Sequence, residues 1–320
     1  MIHIIFTGGT ISMTRDERAG GNVPTHGGAA LVAFAPGLER VSPLRIDDWG
    51  RLPACHMGPA KLWELRNHVA QVLAGAHGGV PDGIVITHGT DTIEETAYLL
   101  ARTLPAGVPI VITGAMRTSS DEGWDGPRNL TDAVRVAADP ESRGRGTMVV
   151  FAGRVLAGET AAKVEATALE AFEAPHAGPI GMVANGLVEY FDASDAPLVP
   201  SVLEPPELSA RVALIPMIVG DLGELLDLAR KSFDGVVIEA FGSGNVPPGA
   251  VGAIRRWIEE GKPVVLASRC ALGEVTPVYA FPGGGATLVR DGVIPAGRRT
   301  PSQARMELLI ALSAGAPYGH

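Results

Sequence analysis

Two short segments carry residue types that can do covalent chemistry. Thr7-Gly8-Gly9-Thr10 follows the apolar run Met1-Ile2-His3-Ile4-Ile5-Phe6, and Thr87-His88-Gly89-Thr90-Asp91-Thr92 follows Gly83-Ile84-Val85-Ile86. A threonine hydroxyl is a weak nucleophile until a base or a positioned proton path takes its proton, so a second Thr, an Asp and a Lys are the partners it needs. Gly8 and Gly9 permit a sharp turn after a strand and bring backbone amides close to a ligand, with Thr10 presented at that turn. The first segment lacks the lysine and spacing of a phosphate-binding loop, and no Gly-x-Gly-x-x-Gly follows the first strand, so a nucleotide site is not expected. In the second segment, Glu94 and Glu95 suit the first turn of a helix, while Thr90 and Asp91 are left to face a crevice. His88 suits a packing role behind the turn.

The elements that must position these residues follow from periodicity. Strand-length apolar runs alternate with helix-length stretches: Gly83 to Thr87, Thr92 to Leu104, Val108 to Thr113, Asn129 to Ala138 and Thr147 to Phe151. This alternation predicts an α/β fold with a mainly parallel, doubly wound sheet. Ligands bind such sheets beyond the strand carboxyl ends, which is where both Thr-rich turns fall. Residues 192–209 hold Pro197, Pro200, Pro205 and Pro206 among polar residues without a period and predict a linker. It divides an N-terminal domain, 1–191, from a smaller C-terminal α/β domain, 210–320. There the predicted elements are strands at Val212 to Ile215, Gly235 to Ala240 and Pro263 to Ser268, and helices at Leu222 to Lys231, Ala250 to Glu260 and Ser302 to Ser313. Met13 to Ala30, Gly-rich and charged, predicts a mobile loop beside Thr10.

The chain has 320 residues, 46% of them hydrophobic, enough to bury a substantial core. A formal charge of −9 opposes binding to nucleic acid or an anionic membrane. Cys55 and Cys270 are the two cysteines, too few for a disulfide framework. No apolar run reaches the roughly eighteen residues of a membrane span, and the N-terminus lacks the marks of a signal peptide. A cytoplasmic location is expected. The scattered histidines and the separated cysteines suggest no metal site and no cofactor.

These motifs resemble the bacterial-type L-asparaginase family, whose signatures are TGGTI near the N-terminus and HGTDTxEET some eighty residues later. Thr7-Gly8-Gly9-Thr10-Ile11 and His88-Gly89-Thr90-Asp91-Thr92-Ile93-Glu94-Glu95-Thr96 match without interruption. Further matches run in order through Gly114-Ala115-Met116-Arg117, Asp125-Gly126-Pro127 with Asn129-Leu130, Lys163, Gly242-Ser243-Gly244-Asn245 and Thr300-Pro301. The segment from Cys270 to Val275 looks like the cytoplasmic branch. The resemblance implies an amidohydrolase that converts L-asparagine to L-aspartate and ammonia. It assigns Thr10 as nucleophile, Thr90, Lys163 and Asp91 as a relay, and Asp91 as the acceptor of the substrate's α-ammonium. Gly89, Thr90 and Asp91 join Ala54 and Cys55 as substrate-binding positions. It further implies a homodimer or homotetramer whose only other partner is a small amide. On its own, Lys163 amid Ala161, Ala162 and Val164 would suit a snorkelling surface residue; beside Asp91, desolvation and the carboxylate act on a lysine's proton in opposite directions.

Two positions depart from the family pattern. Met13 to Ala30 holds no tyrosine, where relatives carry one that contacts the nucleophile, and Asn22 is the nearest equivalent. Pro53-Ala54-Cys55-His56-Met57 has Ala54 where a serine would grip the α-carboxylate, leaving backbone amides, Cys55 or His56 to fill that role. Losing one neutral donor costs on the order of 1 kcal/mol, enough to weaken binding several-fold or to change the preferred substrate. A hydrolase for another amide and a non-catalytic amino-acid-binding homologue therefore stand as alternatives.

Overall fold

The computed structural model describes residues 1–191 and 202–319. The chain forms two compact units, Met1–Val202 and Leu203–His320. Of the expected linker 192–209, residues 192–201 lie outside the described residues, and 202–209 form neither helix nor strand.

The first unit begins with β1 (Ile2–Phe6), the hairpin β2 (Met13–Asp16) and β3 (Gly21–Pro24), the short helices α1 (Gly28–Ala33) and α2 (Leu38–Val41), and β4 (Leu44–Asp47). Helix α3 (Pro59–Leu73), β5 (Gly83–Thr87), α4 (Ile93–Thr103), β6 (Ile110–Thr113), α5 (Gly126–Ala138) and β7 (Thr147–Phe151) follow. The unit closes with β8 (Arg154–Ala157), a two-stranded hairpin of β9 (Ala162–Lys163) and β10 (Phe172–Glu173), then β11 (Gly181–Ala184) and β12 (Leu187–Tyr190). Eight strands form one sheet in the order β12-β11-β8-β7-β6-β5-β1-β4. The run from β4 to β7 is parallel, and the last three strands are antiparallel additions.

Every residue of β1, β5, β6 and β7 is buried, as expected of central parallel strands covered on both faces. Ile2, Ile4 and Phe6 share a core with Val85, Val111, Met148 and Val150 of the neighbouring strands and with Leu130, Ala133, Val134 and Ala137 of α5. Strand order decides where a ligand can sit. β1 has β4 on one side and β5 on the other, so the connections leaving their carboxyl ends diverge and open a crevice at that switch point.

The stretch Met13 to Ala30 differs from the expected loop: it is ordered into the β2–β3 hairpin and the start of α1. Asp16 Oδ1 accepts from Arg18 N at 2.8 Å and Ala19 N at 2.9 Å, which folds the turn between the two strands. Ser119 Oγ donates to Met13 O at 3.1 Å and Arg15 N donates to Ser120 Oγ at 3.0 Å, fastening β2 to the loop beyond β6.

The second unit has a parallel sheet of β13 (Val212–Pro216), β14 (Gly235–Ala240), β15 (Val264–Ser268) and β16 (Ile294–Pro295), with α6 (Glu224–Arg230), α7 (Val251–Glu259), α8 (Gly285–Arg290) and α9 (Pro301–Ala314). Its core joins Ile215, Val236, Ile238, Val264 and Leu266 to Leu226, Ile254, Trp257 and Leu288. Thr300 and Gln303 cap α9 reciprocally, and Gly315 ends it in the left-handed region.

Candidate active site

The two Thr-rich turns meet because glycine lets their backbones touch. Gly9 has φ +82°, and a methyl placed on it would sit 2.3 Å from the Gly89 Cα and 2.4 Å from the Gly89 N. No side chain fits there, and the left-handed φ independently favours glycine. Gly89 in turn is pressed on Ala54: a methyl on Gly89 would lie 2.6 Å from the Ala54 Cβ. Thr10 and Thr90 are the residues immediately after the touching glycines.

Each turn is fixed from behind. Thr7 and Thr87, which the sequence places at the strand exits, turn inward: both are buried, and Thr7 Oγ1 donates to Thr87 O at 2.8 Å. Ser12 Oγ donates to Gly9 O at 2.8 Å, tightening the short turn Thr10–Ser12 and leaving Thr10 partly exposed. Leu52 N donates to Thr7 O at 2.8 Å and Gly9 N to Leu52 O at 3.0 Å, so the segment leading to Ala54 continues the sheet edge.

His88 is completely buried. Its Nδ1 lies 2.9 Å from Gly89 O and its Nε2 lies 3.1 Å from Thr96 Oγ1. A carbonyl only accepts, so Nδ1 carries the hydrogen and Nε2 accepts from the Thr96 hydroxyl. Burial pushes the imidazole down to about 4, outweighing the carbonyl bond that favours its cation. The ring is therefore a neutral brace for the turn, in the packing role expected of it.

Lys163 arrives from β9, outside the main sheet. Its Nζ donates to Thr90 Oγ1 at 2.9 Å and to Asp91 Oδ1 at 2.8 Å. The structure thus brings Thr90, Asp91 and Lys163 into one hydrogen-bonded group across seventy-odd residues of sequence. The lysine side chain is 19% exposed and that of Asp91 67%, so the pair lies at the mouth of the crevice rather than deep within it. With Lys163 donating to its oxygen, the Thr90 hydroxyl keeps its own hydrogen to give elsewhere.

The remaining sequence candidates fall around this group. Ala54, Cys55 and His56 form one short helical turn. Ala54 is buried, and its carbonyl accepts from Thr92 Oγ1 at 3.2 Å, which ties it to the Gly89–Thr92 turn. The Cys55 thiol and His56 are exposed. Asn22 is exposed on β3, across from Arg15. Asp125 and Asn129, which the sequence marks only as matches to the family pattern and without a role, form a supporting hub at the start of α5. Asp125 accepts from Met116 N at 3.0 Å and Arg117 N at 2.9 Å, while Asn129 Nδ2 donates to Gly114 O at 3.0 Å. Asn129 Oδ1 also accepts from Ala152 N at 3.2 Å, where φ is +48°. The signal available was an Asp before Gly-Pro at a helix start. Among the described residues, no group of three or more His, Cys, Asp or Glu is arranged to hold a metal ion, and no helix is long and apolar enough to cross a membrane.

Comparison with known proteins fits this arrangement. Residues 1–195 match the family model for the asparaginase N-terminal domain, and residues 211–318 match that for the glutaminase/asparaginase C-terminal domain. A protein of Deinococcus radiodurans described as a probable L-asparaginase is 41% identical over 317 residues, covering 98% of this chain and 93% of its own length. An L-asparaginase of Bacillus licheniformis is 31% identical, covering 98% of this chain and 95% of its own. The crystal structure of a probable cytoplasmic L-asparaginase from Campylobacter jejuni superposes with a TM-score of 0.84 at 26% identity, covering 98% of this chain and 94% of that one. By both domains and over nearly its whole length, the chain belongs to the asparaginase family.

Proposed function

We propose that the protein hydrolyses the side-chain amide of L-asparagine, giving L-aspartate and ammonia, through an ester on Thr10. The observation that carries this reading is the Lys163 ammonium bonded to both Thr90 and Asp91, beside glycines that bring Thr10 and Thr90 to the same crevice. In the first half-reaction the Thr10 hydroxyl oxygen adds to the amide carbon. The C–N bond then breaks, the nitrogen leaves as ammonia with the hydroxyl's proton, and the β-acyl group stays on Thr10. The Thr90–Lys163 pair can carry that one proton: Thr90 gives its hydroxyl hydrogen to the departing nitrogen and takes one from Lys163, and the Thr10 proton makes good the one Lys163 gave. Water attacks the ester in the second half-reaction and restores the Thr10 hydroxyl. Asp91 commits one oxygen to Lys163 and keeps the other for the substrate's ammonium group.

A second reading, hydrolysis of a different amide, is favoured by one observation: Ala54 is apolar, buried and directly against Gly89. A substrate without a free α-carboxylate would not need a donor at that place. Ammonia release from L-Asn, D-Asn, L-Gln, small peptides ending in Asn and simple amides separates the two. Fastest release from L-Asn supports the first; no release from any amide removes both.

A homo-oligomer in the cytoplasm completes the proposal. Ile218, Val219, Leu222, Leu225 and Leu228 of the second unit are all at least 60% exposed, an apolar surface of the kind that a second copy covers. The description of the Campylobacter relative as a probable cytoplasmic enzyme supports the location. Light scattering on the eluted protein and cell fractionation test the two points.

A further inference from the structure

Lys163 is gripped at both ends by one stretch of chain. Its Nζ meets Thr90 and Asp91, and its backbone N–H donates to Glu94 Oε2 at 3.3 Å. Glu94 lies in the first turn of α4, so the groups holding the head and the root of this side chain all fall within five consecutive residues. The strand that carries Lys163 needs such a tie. β9 is two residues long and pairs with β10 in a sheet of its own, outside the eight-stranded sheet that fixes Thr10 and Thr90. The backbone on either side of that bond pairs within the hairpin, as in Val164 N to Ala171 O at 2.9 Å. A lysine has four rotatable bonds and loses most of their rotamer freedom when its ammonium is held in one place. Fixing the root lowers the number of ways the head can miss.

We infer that Glu94 is a positioning residue for Lys163, an inference that rests on the relay reading above. Its carboxylate sets the distance between β9 and the Thr90–Asp91 turn, so that Nζ reaches both partners at once. The favourable interaction of Glu94 with the helix dipole is a separate effect, which any acidic side chain there would supply.

The test is steady-state ammonia release from L-Asn by Glu94→Ala, Glu94→Gln and Glu94→Asp, alone and, for the alanine change, in a Lys163→Met background. Glutamine keeps a carbonyl oxygen at the same reach. Aspartate keeps the charge and withdraws it by one methylene. Expected are a kcat roughly tenfold lower for Glu94→Ala with KM within about twofold, a similar loss for Glu94→Asp, and a rate within about threefold of wild type for Glu94→Gln, as a displaced rather than deleted proton path would give. In the Lys163→Met background, Glu94→Ala should change the residual rate less than about twofold, because a residue acting through Lys163 has nothing left to act on. A wild-type kcat in Glu94→Ala overturns the inference, as does equal loss in the glutamine and alanine variants or an undiminished tenfold effect without Lys163. Should the alanine variant not fold, the aspartate and glutamine pair decides: retention by aspartate with loss by glutamine overturns it. A Lys163→Met enzyme running at the wild-type rate would instead bring down the relay reading itself.

Discussion

His88 gives a prediction whose size follows from the structure. The unfolded chain protonates this imidazole near its ordinary value of 6.5, whereas the buried ring resists protonation down to about 4. Above pH 6.5 the ring is neutral in both states and adds no pH dependence. Between 6.5 and 4 only the unfolded chain takes up the proton, so stability falls as the pH drops, by about 1.4 kcal/mol per unit and about 3 kcal/mol in all. Below 4 both states are protonated and this group costs nothing further. The perturbation is His88→Asn, which retains an amide hydrogen near Gly89 O but cannot charge. Urea unfolding of both proteins at pH 7.0 and pH 4.5 is the assay. The variant should be less stable at pH 7.0, having lost the Thr96 bond and ring volume. Its deficit should then shrink by about 2.4 kcal/mol at pH 4.5, since every other titrating group is common to both proteins and cancels. A deficit that stays constant to within about 0.5 kcal/mol would show that the ring titrates normally in the folded protein, and the neutral-brace argument would be wrong.

Other substitutions test the rest of the site. Gly9→Ala should cost about 3 kcal/mol or more and abolish ammonia release, because the methyl meets the Gly89 backbone at 2.3 Å at φ +82°. Gly20→Ala is its control: φ is +71° but nothing lies within 4 Å, so about 1 kcal/mol and normal activity are expected from thermal melts and rate assays. Lys163→Met should lower kcat about a hundredfold or more with the fold intact, and near-normal turnover would remove it from the relay. Ala54→Ser should lower KM for L-Asn with little change in kcat, as a bond equal in ground and transition states does. An unchanged or raised KM would favour a substrate without a free α-carboxylate.

What could be seen in the sequence follows from burial. β5, β6 and β7 are unbroken apolar runs because parallel strands are covered on both faces, so their limits emerge within a residue or two. β4 escaped notice because Leu44-Arg45-Ile46-Asp47 is a short edge strand with only alternate apolar residues. Helix α3 also went unassigned, although its buried residues Leu62, Leu65, Val69 and Val72 recur at helical spacing. The strands from β8 to β12 are two to four residues long, below the length at which periodicity speaks. At the site, the residue types were legible and their meeting was not. Nothing in the spacing of Gly9 and Gly89 reveals that two backbones touch, and Lys163 amid alanines carries no sign of the hairpin that delivers it to Thr90. Glu94 was legible only as a helix-start acid, since a side chain bonded to a distant backbone N–H leaves no pattern in sequence.

The central claim is that Thr10 becomes acylated. The measurement is acid quenching of the enzyme during turnover of L-Asn, followed by peptide mass mapping. The predicted result is one β-aspartyl group on the peptide containing Thr10, absent from Thr10→Ala, which releases no ammonia. An adduct mapping to Thr90, or wild-type ammonia release by Thr10→Ala, would contradict it.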